Sequence, residues 1–275
     1  MFTFLQNLIP QHLFSRLVGK AATSRNILLK NLLISAFSRA YAVSLKKAKR
    51  KAFGDYETFN DFFTRELDSK YIQYPDQREQ IGSPAEGVVS QFGSIQGAEL
   101  IQAKNHRYRI TELAGDLADG FEYGKFLTIY LAPHNYHRVH LPFDATLTKS
   151  IAFPGTLFSV NNKTAQNVEG LFVRNERLVC KFESEFGPFL LVFVGALLVA
   201  SIESVWGEPT SPYESQIQSD HDFQFSRGEE IGHFLMGSTV ICCFERGSIN
   251  FDPTLKTGMD LTIGQPIGMA LAQSA

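Results

Sequence analysis

The spacing of apolar residues changes near residue 80. Before that point apolar side chains recur at the three- and four-residue spacing of helices, first in residues 13–21 and again across residues 26–53. Beyond it, short runs rich in Val, Ile and Phe alternate with turn residues, a pattern typical of strands. The clearest runs are residues 87–93, 126–131, 178–182 and 189–193. We therefore expect an α+β fold, with N-terminal amphipathic helices followed by an antiparallel β-rich body.

The second helical stretch places its apolar residues on one broad face and its lysines near its C-terminal end, where the helix dipole favours positive charge. That face comprises Leu28, Leu29, Leu32, Leu33, Phe37, Ala40 and Tyr41. Further along, a short helix is expected within residues 109–123, and the Gly187-Pro188 pair marks the turn of a hairpin. We divide the chain into a helical region (1–66), a polar connector (67–80) and a β-rich domain (81–275).

Basic residues are unevenly placed along the chain, whose net charge is −2. Residues 1–54 contain ten Lys and Arg and no acidic residue. Residues 55–275 hold the other 16 basic and all 28 acidic residues, a net charge of −12. A basic amphipathic segment joined to an acidic body is typical of a protein that binds an anionic membrane surface. The alternative is a helical hairpin packed on the body, and both hold if one helix face packs while the other meets lipid.

Composition narrows the class of protein. A chain of 275 residues with 44% hydrophobic content can bury a core without disulfides. Its cysteines, Cys180, Cys242 and Cys243, are typical of buried packing in a reducing compartment. The longest apolar run, residues 188–200, is shorter than the ~20 residues that a membrane-spanning helix needs. We expect neither a secretory signal, because no small-residue cleavage site is present, nor a nucleic-acid partner.

The most informative motif is Gly237-Ser238-Thr239. A serine Oγ that follows glycine on a tight backbone can attack the preceding carbonyl, and β-elimination then converts the serine into an N-terminal pyruvoyl group. Such a carbonyl captures a substrate amine as a Schiff base and withdraws electrons from its α-carbon. The tripeptide also arises by chance, so on its own it is equally typical of a turn or a strand start.

Three histidines, His134, His137 and His140, follow the expected strand over residues 126–131. On an extended segment His134 and His140 share a face and His137 points to the other. Three ligands so placed cannot converge on one ion, and no nearby Cys or Asp completes a set, so we expect no metal site. The residues alone leave each histidine open to a purely structural role.

Five blocks, in order along the chain ahead of Gly237-Ser238-Thr239, together with that motif resemble the phosphatidylserine decarboxylase family. They are Phe59-Asn-Asp-Phe-Phe-Thr-Arg-Glu66, Tyr130-Leu-Ala-Pro-His-Asn-Tyr-His-Arg-Val-His-Leu-Pro142, Phe153-Pro-Gly-Thr-Leu-Phe-Ser-Val-Asn161, Val194-Gly-Ala196 and Arg227-Gly-Glu-Glu-Ile-Gly-His-Phe234. The resemblance covers nearly the whole chain. It implies a carboxy-lyase that converts phosphatidylserine to phosphatidylethanolamine and CO2 after self-cleavage between Gly237 and Ser238. Its cofactor would be the pyruvoyl group from Ser238, with no metal.

The resemblance also implies roles for individual residues. His140 would activate Ser238 for self-cleavage, and His137 would be the acid that reprotonates the substrate carbanion. Where the family usually shows Pro-x-Asp-Gly, this chain has Pro84-Ala-Glu-Gly87, so Glu86 takes the place of the carboxylate that orients His140. The extra methylene moves that carboxylate by roughly an ångström, and errors of this size can cost ~100-fold in rate.

The resemblance further implies phosphatidylserine as substrate, cleaved chains that stay associated, and a homodimer. Although the acid-free N-terminus is similar to a mitochondrial transit peptide, the family likeness begins within it, at residues 9–17. We therefore expect a peripheral protein on the cytoplasmic face of a bacterial cell membrane.

Three alternatives remain for the function. The first is a pyruvoyl decarboxylase of another amino acid, which would not need a lipid-binding segment. The second is a serine hydrolase using Ser238, His140 and Glu86, which predicts an uncut chain and lacks the Gly-x-Ser-x-Gly elbow. The third is a membrane-binding homologue whose maturation is lost through Glu86.

Overall fold

The computed structural model describes residues 18–103, 106–196, 202–235 and 238–271. Its helical N-terminal part and antiparallel sheets confirm the expected α+β fold. The first predicted amphipathic stretch lies mostly outside the described residues, and only its end, residues 18–22, is seen as helix. Gly237 of the predicted cleavage site also lies outside them.

The helical part contains α1 (Ile27–Tyr41) and α2 (Phe59–Phe63), with 3-10 turns at Phe53–Asp55 and Ser69–Tyr71. Helix α1 begins where the Asn26 side chain accepts hydrogen bonds from the backbone N–H groups of Leu28 and Leu29. It ends because Ala42 adopts a left-handed conformation, with φ of 53°. The prediction of helix up to residue 53 is therefore wrong, and the lysines of residues 46–51 lie beyond the helix end.

In the ranges that the structure describes, the β-rich body is built from strands and three short helices. The helices are α3 (Ile110–Ala114), α4 (Asn162–Ala165) and α5 (Leu171–Arg174), with a 3-10 turn at Gly115–Ala118. The strands are β1 (Gln80–Gly82), β2 (Gly87–Ser94), β3 (Glu99–Ala103), β4 (His106–Arg109), β5 (Lys125–Leu131), β6 (Arg138–His140), β7 (Ala145–Phe153), β8 (Arg177–Glu183), β9 (Phe189–Gly195), β10 (Ile202–Ser204), β11 (Ile217–Phe225), β12 (Glu230–Phe234), β13 (Ser238–Phe244), β14 (Ile249–Phe251), β15 (Asp260–Leu261) and β16 (Pro266–Ala270).

These strands confirm the four apolar runs read from the sequence, which correspond to β2, β5, β8 and β9. Strands β8 and β9 form the expected hairpin, with Phe182 opposite Phe189. The short helix expected within residues 109–123 is α3. Apolar runs and the Gly-Pro turn were sufficient signals for β5, β8 and β9 because these strands are buried along most of their length.

An eight-stranded antiparallel sheet, in the order β11-β7-β8-β9-β13-β5-β2-β15, forms the centre of the body. Strand β13 lies in its middle and is buried along its whole length. Smaller sheets have the orders β1-β16-β14 and β10-β12-β6, and β3 pairs with β4. All pairings between these strands are antiparallel.

Alternate residues of β13 enter two different hydrophobic cores. Val240 and Cys242 belong to the core that the sheets containing β1 and β6 also fill, whereas Ile241 and Cys243 belong to the core under α3. The three cysteines are buried and free, as expected for packing residues. A third, separate cluster of aromatic residues joins α1 to α2.

Candidate active site

Strand ends converge at one end of the central sheet. Ser238, the first residue of β13, lies opposite Leu131, the last residue of β5, and Gly195, the last residue of β9. On the other side of β5, strand β2 begins at Gly87. A Cβ at Gly87 would lie 2.4 Å from the Tyr130 carbonyl oxygen, so glycine permits this close approach. Four strand ends therefore place Glu86, the segment after β5, and Ser238 at the same end of the sheet.

Ser238 presents a buried hydroxyl with no partner. The residue is 0% exposed, and its Oγ makes no hydrogen bond to any residue that the structure describes. Because side chains alternate along a strand, Ser238 points to the same face as Val240 and Cys242. That face packs against the sheet that contains β6, so Ser238 is directed toward the layer that carries His140.

The histidines follow β5 in a turn that leads into β6. The Asn135 side chain fixes this turn by accepting a hydrogen bond from the Ala132 N–H at 2.8 Å. His134 lies in the turn and is exposed. Strand β6 covers only three residues, so the alternation expected from His134 to His140 does not extend back to His134 or His137. His137 and His140 are both buried, and His134 does not join them.

His137 is a neutral base with a free nitrogen. Its Nδ1 lies 2.9 Å from the carbonyl oxygen of Asn135, which can only accept, so Nδ1 carries the proton. Nε2 is buried and has no partner among the described residues. Burial, together with the positive charge of Arg65, lowers the pKa of His137 to about 3. At neutral pH its Nε2 is therefore an unprotonated acceptor.

His140 has partners on both ring nitrogens. Its Nδ1 donates to the carbonyl oxygen of Gly228 at 2.7 Å, so Nε2 accepts a hydrogen bond from the Tyr136 hydroxyl at 2.9 Å. Burial lowers the pKa of His140, and the hydrogen bond to Gly228 opposes that shift. The imidazole is thus held in one tautomer, with its basic nitrogen occupied by Tyr136.

Glu86 does not contact His140 directly. Its Oε1 accepts from the backbone N–H of Tyr136 at 3.2 Å and from Asn135 Nδ2 at 3.4 Å, and its Oε2 lies 3.8 Å from Lys47 Nζ. Tyr136 therefore connects the two residues, since its N–H binds Glu86 and its hydroxyl binds His140. The pairing of Glu86 with His140 that the family resemblance implies is indirect in the uncut chain.

A charged network links β6 to β12 and to the helical part. Arg138 donates to the Glu230 carboxylate at 2.7 Å and to the carbonyl oxygen of Thr64 at 2.8 Å. Glu230 also lies 3.2 Å from Nδ1 of His233. Burial opposes ionisation of Glu230, but its hydrogen bonds to His233 and Arg138 outweigh this and lower its pKa. Glu230 faces His140 across the β6–β12 pairing, so this network holds the strand that carries His140.

Sequence reasoning missed three residues that touch the histidines. Tyr136 binds His140, Arg65 binds the backbone of the turn before His137, and the Phe63 ring lies on the His137 ring. All three fall within the family-like blocks, which were the only sequence signal for them. Their contacts depend on backbone carbonyls and ring faces, which leave no periodic pattern in a sequence.

Within the described residues, no group of three His, Cys, Asp or Glu side chains is arranged to hold a metal ion. The buried hydroxyl of Ser238, at the first residue of β13, has no hydrogen-bond partner among these residues. None of the helices in the described ranges is both long and apolar enough to cross a membrane.

Comparisons with known proteins give a consistent result. A family model described as phosphatidylserine decarboxylase matches residues 59–269, and a model described as PSD matches residues 1–42. A phosphatidylserine decarboxylase proenzyme from Psychrobacter cryohalolentis is 45% identical over 273 residues, covering 98% of this chain and 99% of that protein. Proteins of the same name from Acinetobacter baumannii and Aliivibrio salmonicida are 42% and 45% identical, covering 98% and 95% of this chain and 96% and 95% of their own. The likeness extends over both the helical part and the β-rich body.

Proposed function

The chain belongs to the phosphatidylserine decarboxylase family, and from this premise we propose that a pyruvoyl group made from Ser238 carries out its decarboxylation of phosphatidylserine. The observation that carries the proposal is the buried, unpaired Ser238 hydroxyl at the first residue of the central strand. Relatives named as proenzymes support processing of the chain before activity.

Self-cleavage would begin when the Ser238 Oγ attacks the carbonyl carbon of Gly237 and gives up its proton to His140. In the uncut chain, Nε2 of His140 accepts a hydrogen bond from Tyr136, so that contact has to open before His140 can take the proton. The Gly237–Ser238 amide becomes an ester, and β-elimination expels the Gly237 carboxylate, which cuts the chain and leaves dehydroalanine at residue 238. Water then hydrolyses the imine tautomer of that residue, which releases ammonia and leaves the pyruvoyl carbonyl. Strand β13 pairs with β5 on one side and β9 on the other along its whole length, which would keep the two cleaved chains associated.

His137 is suited to move a proton during decarboxylation. The pyruvoyl carbonyl, once formed, would supply the sink for the electron pair that stays on the substrate α-carbon when CO2 leaves. His137 holds an unprotonated Nε2 that has no partner among the described residues. The carboxylate of a bound substrate would raise the pKa of His137, and Nε2 could then take the proton that the substrate ammonium group must lose. After CO2 departs, the same nitrogen atom can return this proton to the substrate α-carbon.

Glu86 acts in this proposal as a positioning residue. Its carboxylate holds the backbone N–H of Tyr136, and the hydroxyl of Tyr136 binds His140. Because Glu86 is longer than the aspartate usual in the family, it reaches the backbone of the histidine segment rather than the imidazole. We propose that this arrangement orients His140 less directly and slows maturation without preventing it.

We also propose that the helical part binds an anionic membrane surface, on the cytoplasmic face of a bacterial cell membrane. Helix α1 exposes Ile27, Leu28 and Leu32 at 68%, 82% and 66% of their surface. Beside them lies a groove of about 470 Å³ with an almost wholly apolar lining that includes Phe37 and Phe59. Exposed leucines next to basic residues are suited to a lipid surface. A homodimer remains a proposal that rests on the family resemblance.

The intact mass of the purified protein tests the cofactor proposal. We expect fragments of 237 and 38 residues, the smaller one blocked at its N-terminus by a pyruvoyl group. The Ser238→Ala variant should give one uncut chain without activity. As a matched control, Ser248→Ala removes another buried serine hydroxyl and should leave cleavage intact. A 38-residue fragment with a free serine amine would contradict the proposal.

A further inference from the structure

Phe63 and Arg65 of the helical part contact residues 134–137, the segment that carries His134 and His137. Phe63 is the last residue of α2, and Arg65 lies two residues beyond it. Both are almost completely buried, at 1% and 3% exposure. They lie against residues 134–137, about 70 positions away in the chain. The part of the molecule that we propose to bind the membrane thus contacts the segment that carries His137.

Arg65 is a buried cation held by backbone oxygens. Its Nη2 donates to the carbonyl oxygens of His134 at 2.7 Å and Asn135 at 3.0 Å. The Asn135 carbonyl also accepts the Nδ1–H of His137, so one oxygen with two lone pairs serves both residues. Arg65 therefore fixes the oxygen that decides which nitrogen of His137 carries the proton.

Phe63 covers the imidazole face. The two ring centroids lie 4.1 Å apart, with an angle of 41° between the rings. On its other side Phe63 packs edge-on against Phe37 of α1, with centroids 5.8 Å apart, and Phe37 contacts Tyr41 at 4.7 Å. A continuous row of aromatic rings runs from the apolar groove of α1 to His137. The ring contact restricts rotation of the imidazole, which the hydrogen bond alone does not do.

We propose that Arg65 and Phe63 are positioning residues that hold His137 in its Nδ1–H tautomer, with Nε2 open toward the reacting centre. Arg65 orders the acceptor carbonyl, and Phe63 holds the plane of the ring. The relevance of this arrangement to catalysis rests on the proposed proton-transfer role of His137. The tautomer itself is independent of that role, so the two can be tested separately.

The first test measures the tautomer in the uncut Ser238→Ala chain, where no turnover occurs. Side-chain ¹⁵N–¹H spectra of labelled histidines distinguish a protonated nitrogen from a bare one. We expect His137 to show a single Nδ1–H tautomer in this parent chain. In Arg65→Met, whose side chain is apolar and uncharged, we expect mixed tautomers, and Arg65→Lys should restore the parent pattern in part. His140, held by Gly228 and Tyr136, serves as an internal control.

The same samples give a titration of His137. The charged and titratable side chains that act on its imidazole are Arg65 and His134, and both disfavour its protonation. Removing the Arg65 charge should move the titration midpoint of His137 upward, while Phe63→Leu should alter the tautomer balance with the charge kept. An unchanged tautomer and midpoint in folded Arg65→Met would overturn the proposal. If Arg65→Met does not fold, unchanged spectra in both Arg65→Lys and Phe63→Leu would overturn it equally.

The second test uses the matured enzyme with Ser238 present. We expect Arg65→Lys and Phe63→Leu to cut normally, to keep KM, and to lose ~10- to 100-fold in kcat, the range that misplacement of a proton-transfer group produces. Mixed tautomers with an unchanged kcat would support the positioning role and contradict the catalytic role of His137. A change in KM alone would count against positioning of His137 and favour a contact with the substrate.

Discussion

Helix α1 and strand β13 bury their residues in opposite ways. Strand β13 is apolar after its first two residues and is completely buried. Helix α1 exposes Leu28 and Leu32, while Lys30 is only 6% exposed and donates to the carbonyl oxygen of Tyr56 at 2.6 Å. The hydrophobic effect explains the burial of β13, because folding removes its apolar side chains from water. It does not explain the exposed leucines of α1, which would be stabilised by contact with a second apolar surface.

This difference is the basis for our proposal that the chemistry and the membrane attachment belong to separate parts of the molecule. The β-rich body holds Ser238 and both histidines among buried strands, and the helical part presents apolar and basic groups outward. Phe63 and Arg65 cross that division, because they belong to the helical part yet contact the histidine segment. Changes in the body should therefore affect cleavage and turnover, and changes on the outer face of α1 should affect membrane binding only.

The largest effects are expected at the two histidines. His140→Ala should accumulate uncut chain and lack activity because no cofactor forms. His137→Ala should be cut normally yet lose ~10²–10⁴-fold in CO2 release, the contribution typical of one proton-transfer group. It should also hold the lipid in a form that borohydride fixes to the 38-residue fragment. Cleavage is followed on denaturing gels and turnover by CO2 release on the same preparations.

Both histidine variants should bind anionic vesicles as the parent chain does, which makes vesicle sedimentation their control. Equal loss of cleavage in both variants would show that the division of roles between His137 and His140 is wrong. The free Nε2 of His137 would then be the candidate for the base that activates Ser238.

A smaller effect, on the rate of maturation, is expected at Glu86. Glu86→Gln keeps the size of the side chain but loses its charge, so the N–H of Tyr136 is held less strongly. We expect cleavage to slow by up to ~100-fold, as for other errors in positioning. Glu86→Asp should retain or accelerate cleavage. Maturation of the Gln variant at the parent rate would remove Glu86 from the mechanism.

Tyr136→Phe is the matched variant for this prediction. It keeps the backbone N–H that binds Glu86 and removes only the hydroxyl that occupies Nε2 of His140. If that hydroxyl competes with Ser238 for His140, cleavage should proceed at least as fast as in the parent chain. Slowing equal to that of Glu86→Gln would instead indicate that the hydroxyl transmits the effect of Glu86. Time courses of cleavage after synthesis distinguish the two.

The sequence predicted the body well and the helical part less well, for physical reasons. Strands β5 and β9 were recognised because burial on both faces requires an unbroken apolar run. The end of α1 was missed because Ala42 in a left-handed conformation carries no glycine signal. The family resemblance selected Ser238 and the histidines, whose roles stay predictions, but the partners of Arg65 are carbonyls 69 and 70 residues away. Such contacts follow from packing and not from local pattern.

The smallest effect is expected on the outer face of α1. Leu28 and Leu32 are one helical turn apart and make up much of its exposed apolar surface. Burial of a leucine contributes roughly 1.5–3 kcal/mol, so each change to serine should weaken binding to anionic vesicles by about 10-fold or more. Because both side chains are exposed, self-cleavage should stay unchanged. Binding of the parent chain should also weaken with added salt, since exposed charges are screened within ~8 Å at physiological ionic strength.

Phe223→Ser is the control for this prediction, because Phe223 is 44% exposed on strand β11 of the body. An exposed aromatic residue outside the helical part should have no effect on vesicle binding. If Phe223→Ser weakened binding as much as Leu28→Ser, the body would share the membrane surface. If neither leucine variant changed vesicle binding, the exposed leucines of α1 would need another apolar partner. A second copy of the chain would be the first candidate, and sedimentation of the parent and Leu28→Ser proteins would test it. Either result would contradict the proposal that α1 binds the membrane while the body around β13 carries the chemistry. Loss of vesicle binding in the α1 variants alone would support it.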